Sequence, residues 1–275
     1  MNVMDVIHLV ERLLGWKKRH SNPARQQADR VLQAFEAHGV PRMQINQVLP
    51  QTLRLTAMAW SDPDELKTVL HQEHIDWLAE RFKLKHDWLA GLSNSANELI
   101  FSYKQPGELN RWFERNRQQG SCFEFKLHLI TFSADQIGAH STGPFALVLE
   151  QLPDDDSASR FYHLSDGSHF DHYPCLVNLQ QVLAIAHYYH SIMWRSTLGI
   201  SELDELSLNH GLIAKWLECC RSNPLAADHE LWPHFSGNSP WLMELRQEAE
   251  QGLLAAGLDR IVEQLHIDEA RFARP

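Results

Sequence analysis

CFEFKLHLITFSA, residues 122–134, alternates apolar and polar side chains and is dense in aromatic and other strand-forming types. A period of two puts one set of side chains on each face of a pleated strand, so this stretch reads as a strand. PFALVLEQL (144–152) reads as a second strand. Asp154-Asp155-Asp156-Ser157 makes a turn, and SRFYHLS (159–165) is a third strand. With a loop through Pro174, the three form a small antiparallel sheet. LVNLQQVLAIAHYYHSIMW (176–194) then reads as one long helix, with Val182, Ile185, Ala186 and Tyr189 covering a sheet face. Further helices are expected at about 209–222, 239–256 and 256–266.

Upstream of residue 120 the pattern is helical. Val3, Ile7, Val10 and Leu14 form a stripe over 3–19, a plausible pairing surface for a second subunit. Asn22 can cap the next helix, with Pro23 at its first position. Ala28, Val31, Leu32 and Phe35 share a face, and Gly39 stops the helix. A short helix follows over Arg42–Leu49. Asp62-Pro63 opens another, carrying Leu66, Val69 and Leu70. Ile75, Leu78, Ala79 and Phe82 form the next stripe, and Trp88 and Leu89 point inward from a short last helix. The expected fold is mainly α with a small antiparallel β-sheet (α+β). Residues 1–95 form a helical bundle, 96–120 a connecting helix, and 121–275 a body of three-stranded sheet and helices that senses a ligand or mediates assembly.

The 275 residues carry a net charge of −10, unevenly spread. Residues 1–60 hold 8 Lys/Arg against 4 Asp/Glu, a surplus of +4; the later segments 61–120, 121–200 and 201–275 stand at −2, −5 and −7. A basic head on an acidic body suits a nucleic-acid-binding segment joined to a regulatory one. No window reaches the roughly 18 apolar residues of a membrane span. At the start of the chain the basic cluster follows the apolar stretch, the reverse of an export signal. A cytoplasmic protein without membrane partners is expected. Cys122, Cys175, Cys219 and Cys220 contain no CxxC pair and read as free, mostly buried thiols.

Gly39-Val40-Pro41-Arg42-Met43-Gln44-Ile45-Asn46-Gln47-Val48 resembles the turn and recognition helix of the Cro/lambda-repressor-like (Xre-type) helix-turn-helix family. Trp77-Leu78-Ala79 through Asp87-Trp88-Leu89-Ala90-Gly91 resembles the closing part of that domain. The resemblance spans about residues 24–92. It implies that Val40, Ile45 and Val48 are buried and that Arg42, Asn46 and Gln47 face a major groove, where Arg reads guanine and Asn or Gln adenine. Arg25 and Arg54 are the phosphate candidates. It also implies a bacterial-type transcription regulator that binds DNA as a homodimer, while the sheet and covering helix of the body, by fold pattern alone, suit a small-molecule effector. Three departures stand out: Ala34-Phe35 where the family usually has Leu-Ala, Pro41 in place of a capping Ser, and a longer stretch around 50–65.

Two other readings belong to different classes. In one, a helical protein–protein interaction protein keeps the repressor-like scaffold without DNA binding. In the other, a metal-dependent enzyme uses His163, Asp166, His169, His172, His187 and His190, a cluster in which His187 and His190 share one helix turn. Phosphate-loop, dinucleotide and GxSxG signatures are absent, so no cofactor and no enzymatic role are expected. Cys175, next to Pro174 at a helix start, is a position where a thiol pKa can be lowered.

Overall fold

The computed structural model describes residues 22–117, 124–135, 137–153, 158–223 and 240–272. The helix expected over 3–19, Cys122 and the turn at 154–157 lie outside them. The chain divides into two compact units, Met1–Ala96 and Asn97–Pro275.

In the first unit, α1 (Pro23–Ala37) starts where Asn22 Oδ1 accepts the Arg25 amide at 3.2 Å, with Pro23 in the first turn. It ends at Gly39, whose φ of +73° lets the Val40 amide reach back to the Phe35 carbonyl. Ala28, Val31, Leu32, Ala34 and Phe35 are buried. The Ala34-Phe35 pair that departs from the family pattern therefore sits in the core. The Phe35 ring meets Trp60, Trp77 and Phe82 with centroids 5.8, 6.2 and 5.8 Å away. The 3-10 turn Arg42–Gln44 leads into α2 (Ile45–Val48), which is a single turn. Two more 3-10 turns, Gln51–Leu53 and Ala57–Trp60, occupy the longer stretch. α3 (Pro63–Leu66), capped by Asp62, is also one turn. α4 (Gln72–Phe82) and α5 (His86–Leu89) close the unit, burying Ile75, Leu78, Ala79, Phe82, Trp88 and Leu89. The Arg30 guanidinium lies over the Trp88 ring and donates to the Trp88 and Ser93 carbonyls.

The second unit is α+β, but its sheet is neither three-stranded nor purely antiparallel. β1 (Phe125–Thr131), β2 (Phe145–Gln151), β3 (Arg160–His163), β4 (Ile192–Thr197) and the short edge β5 (Arg221–Asn223) lie in the order β3-β2-β1-β4-β5. β1 is antiparallel to β2, with Leu127 opposite Leu149, and parallel to β4, with Leu127 opposite Met193. α6 (Pro106–Asn116) is part of this unit, with Leu109 and Phe113 buried in its core.

The parallel strand β4 turns on one residue. The helix expected to run through Trp194 is α7 (Tyr173–Tyr188), and it stops because His190 adopts φ +57°. The His190 amide then bonds the His187 carbonyl, and the Ser191 amide bonds the Ala186 carbonyl. Freed from the helix, Ile192–Thr197 pairs beside β1. Val182, Ile185, Ala186 and Tyr189 are buried as expected. α8 (Ile200–Ser207) follows β4. The helix expected at 209–222 is α9 (Ile213–Cys219) followed by β5, because Asn209 turns the chain at φ +57°. Asn209 is clasped by Asn97: each amide nitrogen donates to the other residue, at 2.9 and 3.1 Å, with both side chains buried. α10 (Pro240–Ala255) and α11 (Asp259–Phe272) complete the layer on α7. No helix among the described residues is long and apolar enough to cross a membrane.

Candidate functional site

Of the five DNA-contact candidates, Asn46 has the most engaged side chain. Its Nδ2 donates to the Leu55 carbonyl at 2.7 Å, while its Oδ1 accepts the Leu55 amide at 3.2 Å and the Trp60 indole at 3.0 Å. All three bonds go to the folded-back stretch 51–60. Arg42 donates through Nε to Glu36 at 2.6 Å and through Nη1 to the Ser61 carbonyl at 2.7 Å. Arg25 pairs with Asp64 at 3.2 Å, and the same carboxylate takes Lys67 at 2.6 Å. These two cations hold the Asp64 carboxyl below its usual range. Arg54 donates to the Leu49 carbonyl at 3.2 Å. Gln47 is exposed.

Val40 and Ile45 are buried as the resemblance implies, whereas Val48 is exposed. Met43 and Met58 are 84% and 71% exposed, an unusual placement for two large apolar side chains on neighbouring 3-10 turns. Residues 22–96 hold eight Lys/Arg against nine Asp/Glu, a net charge of −1. Half of the +4 surplus of the first sixty residues, +2, lies in residues 1–21, outside the described residues; the other +2, in 22–60, is offset by −3 over 61–96.

The histidines of the metal reading separate. His163 is buried, with Nε2 on the Leu206 carbonyl at 2.8 Å and Nδ1 3.4 Å from Asp166. His169 pairs with Asp171 at 2.7 Å, His172 with the Tyr103 hydroxyl at 3.0 Å, and His187 with Asp268 at 3.0 Å. His190 is the exposed turn residue that ends α7. Among the described residues no three His, Cys, Asp or Glu side chains are grouped to hold a metal ion. Cys175 is buried and its thiol is pushed up by burial, the opposite of an activated nucleophile. Of the thiols expected to be mostly buried, Cys175 is buried, Cys220 is intermediate and Cys219 is exposed.

Openings lie among the described residues of the second unit, two of them of small-molecule size. One, of about 730 Å³, lies between the start of α6 and the end of α10, with Gln181 and Gly252 in its lining. The other, of about 420 Å³, lies beyond the carboxyl end of β1. The loop after β1 supplies Phe132, Ser133, Asp135 and His140; Phe170 adds a second ring, and β4 contributes Arg195. Arg195 is only 3% exposed, and its Nη2 donates to the Ser133 and Asp135 carbonyls at 3.0 and 2.5 Å. None of these residues was singled out from sequence. The available signal was an Arg directly after the apolar triplet Ile192-Met193-Trp194. On the opposite face, His128 Nε2 meets Glu150 at 2.8 Å, and Ser159 donates to the other carboxylate oxygen at 2.8 Å.

Comparison with protein-family models, curated proteins and solved structures gives no match. The repressor-like reading accordingly stands on residues 24–92 themselves.

Proposed function

We propose that the chain is an interaction protein of the regulator type. Its head keeps a repressor-like scaffold but meets a protein surface instead of a DNA groove, and it works by binding rather than turnover. The observation that carries this reading is the amide of Asn46, spent on Leu55 and Trp60. A base reader needs both amide atoms for adenine; withdrawing Asn46 would leave the Leu55 and Trp60 groups without their partner. Two further observations support it. A net charge of −1 over 22–96 supplies little attraction for phosphates. Exposed Met43, Val48 and Met58 offer adaptable apolar contact.

The second reading, a DNA-binding transcription regulator, is favoured by exposed Gln47 and Arg54 and by the basic run Lys17-Lys18-Arg19. One experiment separates the two. A photoreactive phenylalanine analogue is placed at position 43 of the full chain and activated in cells. Protein contact gives adducts that survive nuclease and are lost on protease treatment and in a Met58→Asp variant. Nuclease-sensitive adducts overturn the proposal. In solution, any residual association with duplex DNA should show almost no salt dependence, whereas six phosphate contacts would give a log–log slope of roughly −5.

A further inference from the structure

The end of α9 carries two thiols side by side. Cys219 is its last helical residue and is exposed. Cys220 caps the helix with extended backbone, half-buried, its amide on the Leu217 carbonyl at 3.2 Å. β5 begins at the next residue and pairs with β4, so the pair is tied into a helix on one side and an edge strand on the other. One sulfur faces solvent as the point of entry, and the other is half-covered beside it. Burial, with the neighbouring Cys219 adding to it, pushes the Cys220 thiol up to about 11.

These properties select a ligand. Neighbouring Cα atoms stand about 3.8 Å apart, short of the roughly 4.4–6.8 Å spacing of ordinary disulfides, so a direct bond between the two sulfurs is strained. A single large atom placed between them enlarges the ring and removes that strain. Zinc and similar ions need four ligands and deprotonated sulfurs. Among the described residues no third His, Cys, Asp or Glu joins the pair, and Cys220 holds its proton firmly at neutral pH. Trivalent arsenic that already carries one organic group needs two soft sulfur ligands only, and its oxide takes up both thiol protons.

We propose that Cys219 and Cys220 form a dithiol site for trivalent arsenic carrying one organic group. Two arsenic–sulfur bonds form, the arsenic–oxygen double bond breaks, and the oxygen leaves as water with the two thiol protons. Arsenic stays trivalent, and no oxidant or reductant is consumed.

The test mixes the folded full chain with equimolar phenylarsine oxide and reads intact mass, free thiols and melting temperature. One phenylarsenic per chain with the loss of two free thiols is expected. The adduct should survive excess glutathione and be stripped by 2,3-dimercaptopropanol, because the second sulfur acts at high effective concentration. Cys219→Ser and Cys220→Ser should each weaken retention roughly a hundredfold for the same reason. Cys219 is exposed, so Cys219→Ser should keep the melting temperature of the unliganded parent, which separates lost binding from lost fold. Cys122→Ser should bind as the parent does. An adduct that consumes one thiol, persists in Cys219→Ser or vanishes in Cys122→Ser overturns the proposal, as does no adduct on the folded chain. None of these outcomes bears on the partner of the head.

Discussion

The Trp60 indole donates to Asn46 Oδ1 at 3.0 Å, so one side chain of α2 holds the stretch that follows it. Asn46→Ala removes the partner of this indole and of both backbone groups of Leu55. The loss should be roughly 1–3 kcal/mol, because the half-buried groups left behind lose their bonds. Urea unfolding of the full chain followed by tryptophan fluorescence measures it. Gln47→Ala, at an exposed side chain, should stay within about 0.5 kcal/mol of the parent. If Asn46→Ala proves equally silent, the amide is not spent on the fold.

Gly39 sits at φ +73°, and an added Cβ there meets nothing within 4 Å. Gly39→Ala should therefore cost roughly 1–2 kcal/mol from backbone conformation alone. Gly39→Asn should recover part of that cost, since Asn tolerates the left-handed region. Thermal unfolding of the pair checks the order; an alanine as stable as glycine would contradict the turn.

His38 packs its ring against Phe82 at 4.0 Å, with Nδ1 on the Ala34 carbonyl at 2.7 Å. Burial lowers its pKa from 6.5 to about 4, with the Arg81 charge adding to the effect against the pull of the Ala34 carbonyl. Above pH 6.5 the ring is neutral in both folded and unfolded chains, and its contribution is complete. As pH falls from 6.5 to about 4, the unfolded chain binds a proton that the folded one resists, and up to roughly 3 kcal/mol of stability drains away. His38→Gln should narrow its stability gap to the parent steadily across that window, as denaturant titrations at pH 7.5, 6, 5 and 4 will show. A constant gap would place the ring in solvent.

Glu150 is a partly buried acid of the second unit. Burial pushes its carboxyl up, but hydrogen bonds from His128 and Ser159, with the charge of nearby Lys126, outweigh this and hold it below 4.5. Burial likewise keeps His128 below 6.5, against the pull of Glu150. A depressed carboxylate stabilises the fold above its unfolded value and loses that contribution as pH drops through the folded one. Glu150→Gln should therefore cost roughly 1–3 kcal/mol at pH 7 and progressively less below pH 4.5. A cost independent of pH would mean that the carboxylate contributes only its shape.

Local chemistry alone determined much of the head. Asn22-Pro23 started α1, Gly39 ended it, and the stripes through Phe35 and Phe82 went inside, because caps, left-handed turns and a 3.6-residue period are properties of neighbouring residues. The strands at 125–131, 145–151 and 160–163 were equally legible, the first from its alternation and the others from short runs of apolar and aromatic residues set off by a turn. What only the tertiary structure decided was pairing across distance. His190 stops α7 without a glycine to announce it, and β4 becomes a strand because β1 offers it an edge. The partners of Asn46, Leu55 and Trp60, lie nine and fourteen residues on, and Arg195 meets the Asp135 and Ser133 carbonyls 60 and 62 residues back, contacts that only the folded chain brings together. A side chain's hydrogen-bond partners and the space beside it are set by packing between segments remote in the chain, and no local pattern encodes them.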